Sequence, residues 1–229
     1  MMERIYNSKN KERKRCPAGP GSSIGHIRTY GGTLSALVRE KRTGELLILS
    51  NNHVIANCTN GCDGRARRGD PVFHPSIGDG GRYRDIIARL YKWVPLIEGA
   101  ENLVDAALAK PINRNYVFSR IIGLGDIEGE AEGKRGMRVK KVGRSSGLTC
   151  GEIIEEGFKT TITLEGRSFT FADQLVIDIP CREGDSGSIV VDNNNRAVGL
   201  LFAAQGNLGI ANRIQHVTGL LGIDFTKRF

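Results

Sequence analysis

Apolar residues in this chain come in short runs separated by polar turns. Residues 33–38 and 46–50 are two such runs flanking the charged segment 39–45. Thr43-Gly44 lies in its middle, which predicts a β-hairpin. Asn51-Asn52 then breaks the second run and leaves His53 just past a strand end. Residues 57–82 are polar and glycine-rich, a long surface loop interrupted by Pro71-Val72-Phe73. In 84–96, Ile86, Ala88 and Leu90 alternate as in a strand, although Ile87, Leu90 and Trp93 recur at a spacing of three that a short helix would also show. Residues 103–109 read as the last strand of a first half, and 111–119 as a linker.

The second half repeats this texture. It opens at 120–124, and strands are predicted at 137–142, 148–154, 160–164, 168–171, 174–179, 188–191 and 197–202. The runs 160–164 and 168–171 pair across Glu165-Gly166-Arg167. Asp192-Asn193-Asn194-Asn195 makes a turn that tolerates positive φ. Only the end changes period: Ile214, Val217 and Leu221 share a helical face, with Asn212 as the expected cap. The expected organisation is a basic, flexible arm (1–23), a first β unit (24–110), the linker (111–119), a second β unit (120–211), and a C-terminal helix and tail (212–229).

With 229 residues and 39% hydrophobic content, a full core is affordable as one domain or two small ones packed together. The 30 glycines suit many short strands. The formal charge of +8 favours anionic partners but does not bear on fold. Part of it sits in residues 1–15, where Arg4, Lys9, Lys11, Arg13, Lys14 and Arg15 form a solvated arm or a tether to an anionic partner such as nucleic acid. That stretch has no apolar core of a secretory signal, and no run of eighteen apolar residues follows, so no membrane partner and a cytoplasmic location are expected. Five scattered cysteines outline no disulfide framework. Cys58 and Cys62 could chelate a metal with His74 or form a local disulfide, but free thiols fit better, and neither metal nor cofactor is expected.

The chemistry gathers at Gly184-Asp185-Ser186-Gly187-Ser188. A serine hydroxyl is a poor nucleophile unless a base and an orienting acid reach it. His53 offers the base, and Asp105, in the apolar run 103–108, offers the acid. Asp173 and Asp178 are rival acids, the first expected in a turn and the second facing solvent. The order His53, Asp105, Ser186 is one of the known orders of a serine protease triad. Taken together, Leu49-Ser50-Asn51-Asn52-His53-Val54, Val104-Asp105-Ala106-Ala107-Leu108-Ala109 and the 184–188 loop resemble the trypsin/chymotrypsin-like serine peptidase superfamily, bacterial intracellular-type relatives in particular. Val142-Gly143-Arg144-Ser145-Ser146-Gly147 is also similar to those relatives.

The resemblance spans about residues 24–222 and implies an all-β, chymotrypsin-like fold of two six-stranded antiparallel β-barrels with the cleft between them. It implies His53, Asp105 and Ser186 as catalytic residues and the Gly184 and Ser186 N–H groups as an oxyanion hole. Pro180 would lie at the base of the primary pocket beside Cys181, with Phe202, Ala203 and Ala204 as the strand alongside a protein or peptide substrate. No acid stands at 180 and Phe202 could narrow the pocket, so a small or apolar residue is expected before the scissile bond. Asp185 matches an acid that in many members pairs with a new N-terminus, for which this chain shows no activation peptide. Ser188 departs from the usual second glycine, which keeps open a catalytically weak or inactive peptide-binding or regulatory module.

Overall fold

The computed structural model describes residues 17–225; the basic arm over 1–15 and Cys16 lie outside them. Nine strands and a one-turn helix precede residue 144. They are β1 (Ser23–His26), β2 (Gly32–Thr33), β3 (Ala36–Glu40), β4 (Leu46–Ser50), α1 (Asn52–Ile55), β5 (Pro71–Phe73), β6 (Ile86–Trp93), β7 (Glu101–Asn102), β8 (Ala107–Pro111) and β9 (Arg138–Gly143). Then follow β10 (Gly147–Leu164), β11 (Arg167–Asp178), β12 (Ile189–Asp192), β13 (Ala197–Gln205), β14 (Leu208–Arg213), α2 (Ile214–Leu221) and β15 (Ile223–Phe225).

Two sheets result, in the orders β15-β3-β4-β8-β6-β5-β1-β2 and β10-β9-β12-β13-β14-β11-β7. The second closes because β10 also pairs with β11. The first closes because β2 and β3 are parts of one bent segment, with β2 on β1 and β3 on β4. Each ring therefore has six strands, and the fold is all-β and chymotrypsin-like. Two short strands cross over: β7 adds to β11 and β15 adds to β3.

The apolar runs of β4 and β8 look featureless because both of their faces are covered. Ile48, Ala107 and Ala109 face the first ring's interior with Leu37 and Leu90. Leu47, Leu49 and Leu108 face the other way, joining Val142, Ile189, Leu200, Ile214, Val217 and Leu221 in a core shared by the two rings. Side chains alternate across a strand, so one run serves two cores. The second ring is filled by Val139, Ile153, Leu175, Ile177, Val190 and Val198.

Residues 84–96 agree with the alternation of Ile86, Ala88 and Leu90: after a 3-10 turn at Tyr83–Asp85 they form the strand β6, held between β5 and β8. The structure differs from the sequence-based expectations at several elements. Ile121 makes one bridge, to Gly125, and the second ring starts only at β9. The expected strands 168–171 and 174–179 are one, β11, kinked at Asp173 with φ 57°. The α2 N-cap is Arg213, without a side-chain cap, while the Asn212 side chain is engaged elsewhere. Strands β14 and β15 were not anticipated. Pro17 to Ser22, assigned to the arm, runs against 116–118, with Ala18 fully buried and its N–H donating to Tyr116 O at 2.8 Å. No helix among the described residues is long and apolar enough to cross a membrane.

Candidate active site

His53 stands in α1, directly after β4. The Asn52 side chain pins this turn: its Nδ2 donates to Thr59 O at 2.9 Å and Val94 O at 2.8 Å, and its Oδ1 accepts from Thr59 N. Asp105 lies just before β8, where 103–106 has left the sheet. The reason is visible in its main chain, which is bonded to side chains instead of a ladder. Asn212 Oδ1 accepts from Asp105 N at 2.9 Å, and Asn51 Nδ2 donates to Asp105 O at 2.7 Å. Asn212 Nδ2 in turn donates to Gln174 Oε1 at 2.7 Å. The freed carboxylate, fully buried, meets His53 twice. Oδ1 accepts from the backbone N–H at 3.0 Å, and Oδ2 is hydrogen-bonded to Nδ1.

Three histidines pair with aspartates, and their surroundings separate them. His26 is fully buried, with Nδ1 accepting from Arg28 N and Nε2 on Asp70 Oδ2, so both nitrogens are used. Burial holds its pKa below the usual histidine value, despite Asp70. His216 shares Asp173 with Arg213 in a partly exposed cluster. His53 alone has Nδ1 on a buried carboxylate while its side chain stays 13% exposed. Its Nε2 has no hydrogen-bond partner among the described residues. Of the rival acids, Asp173 is thus committed elsewhere and Asp178 is exposed.

Ser186 reaches the seam between the rings. Thr33 N donates to Ser186 O at 2.7 Å, and Thr33 Oγ1 donates to Gly184 O at 2.8 Å. A Cβ at Gly32 would come within 2.5 Å of Ser186 O and 2.6 Å of Val54, the neighbour of His53. The Ser186 hydroxyl donates to Phe202 O at 3.2 Å and makes no hydrogen bond to His53. Backbone N–H groups of the loop divide cleanly. Those of Asp185, Gly187 and Ser188 donate to Arg182 O, Leu201 O and Asp185 O, whereas those of Gly184 and Ser186 have no acceptor among the described residues. Ser145 Oγ donates to Glu183 O at 2.7 Å. In a trans peptide this turns the Gly184 N–H away from Ser145. Ser188, the departure noted in the motif, is buried and closes the turn, its Oγ donating to Asp185 O at 2.6 Å.

Asp185 has a partner that sequence reasoning missed. Lys141 of β9 donates to Asp185 Oδ2 at 3.0 Å, and both side chains are buried. Ser145 N and Ser146 N donate to Oδ1, while Ser146 Oγ and Arg182 N donate to Oδ2. Burial pushes the Asp185 pKa up, but the bonds from Ser146, Arg182 and Lys141 and the lysine charge outweigh it and hold it below the usual value. One signal was available. In β9, Lys141 has the parity of Val139, an inward residue, so strand alternation places it on the buried side.

Of the expected pocket residues, Pro180 is exposed and Cys181 is buried, its thiol pKa raised by burial. Ala203 is half-buried and Ala204 exposed. The Phe202 ring is buried against Phe171 at 4.5 Å between centroids, in a cluster with Cys58, Leu96, Phe169 and Ile210. Cys58 is a buried free thiol, its pKa raised by burial, and Cys62 is an exposed one. His74 Nδ1 is hydrogen-bonded to Ser23 O at 2.8 Å.

Two closed rings with a His–Asp pair and a serine loop at their seam define the architecture of chymotrypsin-like peptidases. The trypsin-like peptidase domain model matches residues 35–200, and the chain belongs to that family. No curated protein matches it in sequence. Among solved structures it is similar to Thermobifida fusca protease A (13% identity, TM-score 0.63, 93% of this chain and 100% of that one). It is also similar to Nocardiopsis protease (12%, 0.65, 93% and 100%). A third is a glutamic-acid-specific serine protease described as using a histidine triad in substrate binding (13%, 0.67, 91% and 100%). At these identities the likeness is one of fold.

Proposed function

We propose that the chain is a serine endopeptidase working through His53, Asp105 and Ser186 and a covalent acyl-enzyme. The observation that carries the reading is His53: one ring nitrogen is tied to a buried carboxylate and the other is left open beside the seam that holds Ser186. Ser186 Oγ attacks the peptide carbonyl as Nε2 takes its proton. Asp105 holds the tautomer and favours the imidazolium, and Nε2–H then protonates the leaving amine. Water repeats the sequence to release the acyl group. The unpaired Gly184 and Ser186 N–H groups receive the oxyanion, each worth about 2.7–4 kcal/mol in the transition state. In an unliganded site the catalytic hydrogen bonds are often long or unmade, and rotation about χ1 takes the Ser186 hydroxyl from Phe202 O towards His53. An extended substrate pairs along 202–204 by strand addition, with a small or apolar residue before the cut.

The test is labelling with a fluorophosphonate, followed by identification of the modified residue. Ser186 should be modified, and Ser186→Ala should abolish both adduct and peptide turnover. Turnover that persists in Ser186→Ala would overturn the reading. A second reading, a peptide-binding module with little turnover, is favoured by the Ser186–Phe202 hydrogen bond; it predicts peptide binding without an adduct.

A further inference from the structure

A polar cavity of about 450 Å³ opens beside the nucleophile loop, lined by Tyr30, Asp79, Arg144, Ser145 and Glu183. It bridges the rings: Tyr30 and Asp79 come from the first, the other three from the β9–β10 turn and the loop leading to Ser186. None of Pro180, Cys181 or Phe202–Ala204 lines it. Ser186 sits between two anchors, its hydroxyl on Phe202 O of β13 and its carbonyl on Thr33 N. The cavity is on the Thr33 side, since Thr33 Oγ1 also accepts from Arg144 N at 3.1 Å. A peptide whose acyl half lies along β13 must therefore carry its leaving half over this cavity.

We propose that the cavity is the leaving-group subsite and takes a lysine or arginine side chain placed one or two residues after the scissile bond. This assignment rests on the peptidase reading above and adds the substrate class to it. The size suits a side chain with its flanking backbone. The charge balance sets the sign. Arg144, 7% exposed, is already neutralised by Asp79, to which its Nη1 donates, and it packs over the Tyr30 ring at 5.3 Å. Its Nε is buried and has no acceptor. That orphan lies against the loop: a Cβ at Gly184 would come within 2.4 Å of it. Glu183 is exposed, and its carboxylate has no ion-pair or hydrogen-bond partner among the described residues. One guanidinium against two carboxylates leaves an unmatched negative charge, which a cationic side chain meets and an acidic one opposes.

Peptides with one acyl-side sequence and Lys, Arg, Ala or Glu at the first or second leaving-side position provide the test. The readout is the ratio of kcat/KM values within each enzyme variant, so a general loss of activity cancels. Lys and Arg peptides should exceed the Ala peptide by roughly 1.5- to fivefold, the range of an exposed ion pair. The ratio should shrink in high salt. Glu183→Gln should bring it near one, and Glu183→Lys should turn the preference towards Glu. Equal rates for Lys, Ala and Glu peptides, or a preference that survives in both variants, would overturn the assignment. Labelling of Ser186 with a flat profile sinks the subsite alone; no labelling and no cleavage sinks the peptidase reading with it.

Discussion

The buried pair Lys141–Asp185 supplies the cation that lets a carboxylate sit under the loop of Ser186. Removing one partner strands the other without solvent, so Lys141→Met should cost about 3–5 kcal/mol, measured by urea unfolding. It should slow fluorophosphonate labelling as the loop relaxes. Lys141→Met combined with Asp185→Asn should recover part of the stability, because the amide can still accept from Ser145 N and Ser146 N. Acid has a related effect. Asp185 is held below its unfolded pKa, so its contribution is complete above about pH 4. It is lost as pH falls through the lower folded value. Urea midpoints should therefore drop below about pH 4 more steeply in the native protein than in Asp185→Asn. The pair spans 44 positions, and the alternation that marks Lys141 as inward does not name Asp185 as its partner.

At the scale of elements, the loop and the first ring meet through glycine. Gly187 has φ 96°, and a Cβ there would lie 2.0 Å from Thr33 O and 2.7 Å from Ser50 Oγ. Gly44, in the β3–β4 turn, has φ 71° but nothing within 4 Å. Gly44→Ala should thus cost only the strain of a left-handed residue, about 1 kcal/mol. Gly187→Ala adds a backbone clash at the seam. It should exceed about 2 kcal/mol by the scale of overpacking and should abolish Ser186 labelling. Equal melting temperatures for the two variants would refute this difference. Hairpins such as β3–β4 and β10–β11 were legible because their turns are local. β15 was not, since its three residues become a strand only by pairing with β3, far back in the chain.

At the scale of the molecule, the long hairpin β10–β11 clasps the first ring. Arg167 at its tip donates to Glu98 and Asp63 and to Cys58 O. These groups belong to the segments that follow His53 and precede Asp105. Beneath it, Phe169, Phe171 and Phe202 pack with Cys58 and Leu96. Arg167→Ala should cost about 1 kcal/mol as partly exposed ion pairs go, a melting shift of roughly 2–4 °C at this chain length. It should also lower peptide turnover, because both segments that position the His53–Asp105 pair lose an anchor. Unchanged turnover with the expected melting shift would reduce the clasp to a stabilising contact.

The alternation of short apolar runs and glycine-marked turns was enough to require an all-β chain, because side-chain period and turn chemistry are local properties. The residue types at 53, 105 and 186, in that order, were enough to point to the family. Which face of β4 looks into a ring and which into the shared core, which acid answers Lys141, and which of three His–Asp pairs rests on a fully buried carboxylate were decided only when the rings closed. Each of those outcomes is set by burial and by partners tens of residues away, and burial has no existence until distant strands meet.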